Sequence, residues 1–198
     1  MFQNYSFDGF NVIHIDWILP FQNETFQSYA FRISENMNDE NAILIGLSFG
    51  GMLSVEISKI KRFKKIFLLS SAKTKSEIPF YYKVLGKLNL LEIIPVSFLK
   101  SVNFLTYLVF GAKTNSEKNL LKDIVKNTES SFMKWALHQI INWKNKDFDG
   151  NIVHIQGNRD LILPHYFVKF DYLIDGGTHF MTLNQSKKIE QIILDNLV

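Results

Sequence analysis

The 198-residue sequence contains no cysteine. Disulfides, thiolate metal sites and cysteine nucleophiles are therefore excluded. It is also short of charge of one sign: 22 Lys and Arg against 19 Asp and Glu leave a net +3, whereas gripping a phosphate backbone takes a concentrated basic surface. No nucleic-acid partner is expected. The one basic cluster, Lys59 to Lys65 with Lys61, Arg62 and Lys64, falls at the end of an expected helix, where cations complement the helix dipole; an anionic surface contact is the alternative. Long hydrophobic runs are missing too, since the longest conspicuous one, Ser101 to Ala112, is well short of the ~20 residues that cross a bilayer. Met1 to Asp8 lacks the basic start and apolar core of a signal peptide, so a cytoplasmic, soluble protein is the expectation.

What is present is an ordinary globular composition, 46% hydrophobic and 21% charged, in a chain long enough for one domain over residues 1–198 with a substantial core. The 18 Phe and 7 Tyr make that core, and any pocket in it, rich in rings. Short apolar runs at Asn11 to Ile15, Ala42 to Leu47, Lys65 to Leu69, Asn151 to Gln156 and Asp171 to Ile174 read as buried strands. They alternate with helical patterns at Glu24 to Met37, Gly51 to Ile60 and Gln185 to Leu197. This alternation predicts an α/β fold, a mostly parallel sheet flanked by helices, because parallel neighbours need crossover connections. Between the third and fourth runs, about residues 73–146 hold no strand pattern and several helical ones, roughly Pro79 to Leu90, Val96 to Phe110, Ser116 to Asn127 and Ser130 to Trp143. This segment is expected to be an inserted helical cap, with Asn115 or Ser116 as an N-cap before Glu117.

The run Gly46, Leu47, Ser48, Phe49, Gly50 follows one of the apolar runs and opens a helical pattern. A sharp strand-to-helix turn of this kind lifts a serine hydroxyl, a poor nucleophile in water, toward a base and an acyl carbon. The glycines on either side are expected to let strand and helix crowd together. A nucleophilic serine needs a base and a carboxylate to orient that base. After the fourth run come Gly157, Asn158, Arg159 and Asp160, with Pro164 following, and after the fifth come Gly176, Gly177, Thr178 and His179. Each lies where a parallel strand ends, the edge at which sites form in open α/β sheets. Ser48, Asp160 and His179 are thus expected to converge.

Serine, acid and histidine in this order, with these three surroundings, make the chain resemble the α/β-hydrolases from about Asn11 to the C-terminus. The resemblance implies an α/β-hydrolase fold and a hydrolase cleaving a carboxylic ester or related acyl substrate through an acyl-enzyme. Ser48 would be the nucleophile, His179 the base and Asp160 its orienting acid, and the Phe49 backbone N–H would be one oxyanion donor. No metal and no organic cofactor is implied; a small-molecule acyl substrate is the expected partner, and oligomeric state is unread. Asp175 is a rival acid. Of the other histidines, His14 and His154 are expected in strands, His138 in a cap helix and His165 near the site or beyond it. The rings Phe80, Tyr81, Tyr82, Phe104, Tyr107, Phe132 and Trp135 are expected to pack helices, with some lining the underside of the cap and favouring an apolar acyl group.

The resemblance also implies a strand and a glycine-rich oxyanion loop ahead of Asn11, and residues 1–10 carry neither. The chain thus reads as starting just after that loop. A strand missing between Asn11 to Ile15 and Ala42 to Leu47 would leave a gap in the sheet or make those two pair directly, with buried backbone groups needing new partners. A non-catalytic binding protein or degenerate fragment is the alternative reading, and acyl transfer or carbon–carbon hydrolysis on the same scaffold is a further one.

Overall fold

The computed structural model describes residues 2, 4–88, 94–148 and 151–197. Four strands, β1 (Ile43–Leu47), β2 (Lys65–Leu69), β3 (Ile152–Gly157) and β4 (Tyr172–Ile174), form one sheet in the order β1-β2-β3-β4. All three pairings are parallel, with Gly46 opposite Leu68, Phe67 opposite Val153 and Gln156 opposite Leu173. Every strand consequently ends at the same edge. The runs expected to be the second to fifth strands are those four, and the sheet is parallel as its alternation with helices required.

Helices α1 (Phe26–Ile33) and α2 (Phe49–Ser58) precede and follow β1. Among the described residues between β2 and β3 lie α3 (Phe80–Lys87), α4 (Val96–Leu99), α5 (Phe104–Phe110), α6 (Asn115–Asn127) and α7 (Ser130–Ile141). Helices α8 (Met181–Asn184) and α9 (Ser186–Asp195) close the chain. Residues 89 and 90, the end of the first expected helix of the insert, lie outside the described residues. The expected helix Val96 to Phe110 is two helices, because Asn103 starts a new one: its side chain accepts from the Leu105 and Thr106 backbones while Thr106 Oγ1 accepts from the Asn103 N–H. That reciprocal cap gives the second helix its own start. For α6 the N-cap is Thr114, not Asn115 or Ser116, again in a capping box with Glu117.

The period-two alternation of the strands sorts the core into two faces. Leu44, Ile66 and Leu68 face α1, α2 and α7, meeting Tyr29, Ala30, Val55, Phe132 and Ala136. Phe67, Leu69, Val153, Ile155 and Ile174 face the C-terminal helices and meet Met181, Ile189 and Ile193. Each such fully buried aliphatic side chain is worth roughly 1.5–3 kcal/mol of transfer free energy. A third cluster, Ala112, Leu121 and Phe180 with Tyr107, Phe110 and Val125, seats α5 and α6 against the loop after β4. No described helix is long and apolar enough to cross a membrane.

Asn11 to Ile15, expected to be a strand, is not one. Its residues are exposed, Ile13 at 76%, and they join no described strand. A strand exists only through a neighbour that takes its backbone bonds, and β1 is the last strand on that side of the sheet. Among the described residues there is neither direct pairing with β1 nor a second strand across a gap. The chain beyond Ile15 is nevertheless anchored: Tyr29 Oη donates to the Ile18 carbonyl and accepts from its N–H, and Arg32 donates to the Leu19 carbonyl and to Glu24. The Arg32 bonds hold the Glu24 carboxyl below its ordinary range against the opposing effect of its burial.

Candidate active site

Ser48 stands between the end of β1 and the first residue of α2 with φ 51° and ψ −120°. This is a backbone region that a side chain enters at a cost of order 1–3 kcal/mol, and it persists only where neighbours enforce it. The neighbours here are backbone bonds at both ends: Ser48 N–H donates to the Leu69 carbonyl at 2.9 Å, and the Ser48 carbonyl accepts from Gly51 N–H, Met52 N–H and Ser71 Oγ. The close approach of strand and helix rests on Gly46, where an added Cβ would stand 2.5 Å from the Gly50 carbonyl oxygen and 2.6 Å from the Gly51 Cα. Gly50 differs from the expectation. A Cβ there would meet nothing nearer than Trp17 at 3.7 Å, and the second crowded glycine is Gly51, against Ser71.

The Phe49 ring fixes the start of the helix from the other side. It stacks on Phe26 with centroids 5.1 Å apart and meets Trp17, Phe132 and Trp135 at 5.6, 6.1 and 5.8 Å. Trp135 Nε1–H donates to the Glu24 carbonyl at 2.8 Å. The rings of α7 therefore pack onto the turn that carries Ser48. As the first residue of α2, Phe49 has an N–H with no intrahelical acceptor, beside the serine hydroxyl.

The loop after β3 brings Asp160, and the loop after β4 brings His179, both buried. His179 Nδ1–H donates to Asp160 Oδ2 at 2.8 Å, and Ser48 Oγ lies 3.0 Å from His179 Nε2. With Nδ1 facing a carboxylate, the proton of a neutral imidazole sits there, and Nε2 is left as an acceptor for the serine hydroxyl. Asp160 Oδ1 accepts from the Ile162 and Leu163 backbone N–H groups, both at 2.9 Å, and Oδ2 also accepts from Gln156 Nε2 at 3.3 Å. Four donors thus hold the carboxyl group in place. Ser48 is partly exposed. The arrangement can pass a proton from a serine hydroxyl to an imidazole whose far side is held by a buried carboxylate.

The three residues singled out in the sequence thus meet in space. Asp175 does not join them: it is exposed and accepts from Asn158 Nδ2. His154 is in β3 and His138 in α7, whereas His14 belongs to the exposed N-terminal stretch and not to a strand. His165 lies in a short 3₁₀ turn, His165–Phe167, against Tyr166 and Phe170. Tyr82 of α3 donates its hydroxyl to the Ile162 carbonyl, tying the helical insert to the acid loop, and burial pushes its pKa up to about 12. Sequence reasoning missed Phe110, the last residue of α5, whose ring stands edge-on to the His179 imidazole at 5.7 Å. The close approach is set by Gly111, the left-handed cap of α5 at φ 76°, where a Cβ would collide with Thr178 beside the histidine.

No family model matches the sequence, and no curated protein matches it. Solved structures do match in shape. A hydrolase from Oleispira antarctica superposes with a TM-score of 0.65 at 14% identity, covering 87% of this chain and 72% of its own. A meta-cleavage product hydrolase from Pseudomonas fluorescens IP01 gives 0.60 at 12% identity, covering 88% and 72%. A thermophilic esterase from Thermogutta terrifontis gives 0.58 at 13% identity, covering 91% and 74%. With its parallel sheet, its flanking helices and these likenesses, the chain has the α/β-hydrolase fold.

Proposed function

We propose that the protein is a serine hydrolase that cleaves a carboxylic ester or related acyl compound through an acyl-enzyme. The observation that carries this reading is the unbroken run of hydrogen bonds from Ser48 Oγ through the His179 ring to Asp160, at 3.0 and 2.8 Å. Hydrolases and esterases among the similar structures support it. Ser48 Oγ attacks the carbonyl carbon as His179 Nε2 takes its proton. The tetrahedral oxyanion faces the Phe49 N–H, and its collapse expels the alcohol, which leaves with the proton from His179. Water then attacks the acyl-enzyme by the same route, releasing the acid and restoring Ser48. Asp160 keeps the imidazole in the required tautomer and stabilises its charged form.

On this reading residues 73–146 form a cap over the site. Phe110 borders His179 from α5, so the acyl group meets an aromatic ring and an apolar acyl chain is the favoured substrate class. A panel of short and medium-chain p-nitrophenyl esters tests the proposal. Turnover by the wild type and its loss in Ser48→Ala is the expected result; turnover that survives in Ser48→Ala would overturn it.

A further inference from the structure

Gln156 is the penultimate residue of β3 and is fully buried. On a strand that alternates between two apolar faces, a buried amide needs a reason, because an uncompensated one is costly. Its Nε2 lies 3.3 Å from Asp160 Oδ2 and 2.7 Å from the Leu163 carbonyl oxygen. Both partners are acceptors, so the amide orientation is fixed and both of its N–H groups are used. The same Oδ2 receives His179 Nδ1–H, so Gln156 and the histidine share one oxygen.

The other end of the amide is left without a donor. Gln156 Oε1 has no hydrogen-bond partner among the described residues, and neither does His154 Nε2. His154, two residues earlier and on the same face of β3, directs Nδ1 at the Lys169 carbonyl. That acceptor puts the proton of a neutral ring on Nδ1 and leaves Nε2 an acceptor. Burial, reinforced by the nearby Lys73 charge, lowers the His154 pKa to about 4, so the ring is neutral near pH 7. A buried oxygen without a donor is destabilising, and an apolar side chain of the same shape would avoid that.

We infer that Gln156 is a positioning residue for the acid of the site: its amide clamps Asp160 Oδ2 and the Leu163 carbonyl together, fixing the carboxylate at the angle and basicity that His179 requires. The inference rests on the proposed hydrolase reading and adds a fourth residue to it. Removing the amide donor strengthens the demand of Oδ2 on His179 Nδ1–H, which raises the basicity of the imidazole. It also frees the loop 160–163 on one side. Tyr81 and Tyr82 of α3 are the other titratable groups whose ionisation is sensitive to Asp160, and neither changes charge near neutral pH.

The test replaces the amide by methionine, which keeps length and flexibility, and by leucine as a second variant, with melting recorded for each. Gln156→Met is expected to lower kcat for a p-nitrophenyl ester about tenfold with little change in KM, and to move the acidic limb of the pH profile upward. The His179 Nδ1 proton, read by NMR in the far-downfield region, is expected to shift in both variants relative to the wild type. Unchanged kcat and pH limb with a lowered melting temperature would overturn the inference in favour of a purely structural glutamine. If the wild type shows no Ser48-dependent turnover, the hydrolase reading falls by itself. The proton resonance then still decides whether Gln156 positions the Asp160–His179 pair, and an unshifted resonance would overturn that.

Discussion

Replacing Gly46 with alanine is expected to damage both stability and the serine site, whereas the same change at Gly50 is expected to do neither. At position 46 the new Cβ would lie 2.5 Å from the Gly50 carbonyl oxygen, 2.5 Å from Ser54 Oγ and 2.6 Å from the Gly51 Cα. Ordinary contact begins at 3.4 Å, so strand and helix would have to separate by ~1 Å. Two of the three atoms are backbone and cannot rotate away. Overpacking of this kind costs about 1–3 kcal/mol, and the rigid partners put this case at about 3 kcal/mol. For a chain of this length that corresponds to a fall in melting temperature of about 6–12 °C. The separation also carries Ser48, which sits between the two elements, away from a 3.0 Å bond to His179. A misplacement of ~1 Å can cost 10²-fold in rate. Gly50 is helical with its nearest neighbour at 3.7 Å, and alanine there gains up to ~1 kcal/mol of helix propensity. Thermal melts and labelling rates with a fluorophosphonate, run on both variants, check the pair. A Gly46→Ala variant as stable and as reactive as wild type, or a Gly50→Ala variant equally damaged, would show that crowding at Gly46 does not hold the serine in place.

Three further outcomes are expected. The His154 pKa is lowered to about 4 in the fold, against about 6.5 in the unfolded chain, so the unfolded state binds the extra proton between these values. Its contribution is intact above pH 6.5 and is lost as the pH falls toward 4, at about 1.4 kcal/mol per unit; denaturant melts across that window should show the slope, and His154→Phe should flatten it. Phe110→Ala removes the ring beside His179 and is expected to raise KM about tenfold for medium-chain esters with a small effect on kcat, measured across acyl chain lengths. Thr114→Ala removes the N-cap oxygen of α6 and its half of the capping box, and should cost about 1 kcal/mol in a denaturant melt.

Four of the five strands and the convergence of Ser48, Asp160 and His179 were legible because each rests on local sequence. Short apolar runs bounded by turns make buried parallel strands, and the loops at their ends meet at one edge by topology alone. Asn11 to Ile15 has the same local pattern and fails, because pairing depends on a neighbour that the pattern does not contain. The crowded glycines were half legible: Gly46 was, but that Gly51 and not Gly50 faces Ser71 depends on which side of α2 meets the sheet. Phe110 and Gln156 carried no signal of their own. A ring at the end of one helix and a polar residue within an apolar strand acquire meaning only when the loops after β3 and β4 are folded against them.

If His179 and Asp160 activate Ser48, the serine reacts with an acyl-like electrophile only while the histidine is present. The most direct measurement is to expose the protein and its Ser48→Ala and His179→Ala variants to a fluorophosphonate, then locate the adduct by peptide mass spectrometry. One adduct per chain, on Ser48, formed quickly by the wild type, slowly by His179→Ala and not at all by Ser48→Ala, is the result predicted. Absence of an adduct on the wild-type Ser48 peptide, or an equal rate in His179→Ala, would contradict it.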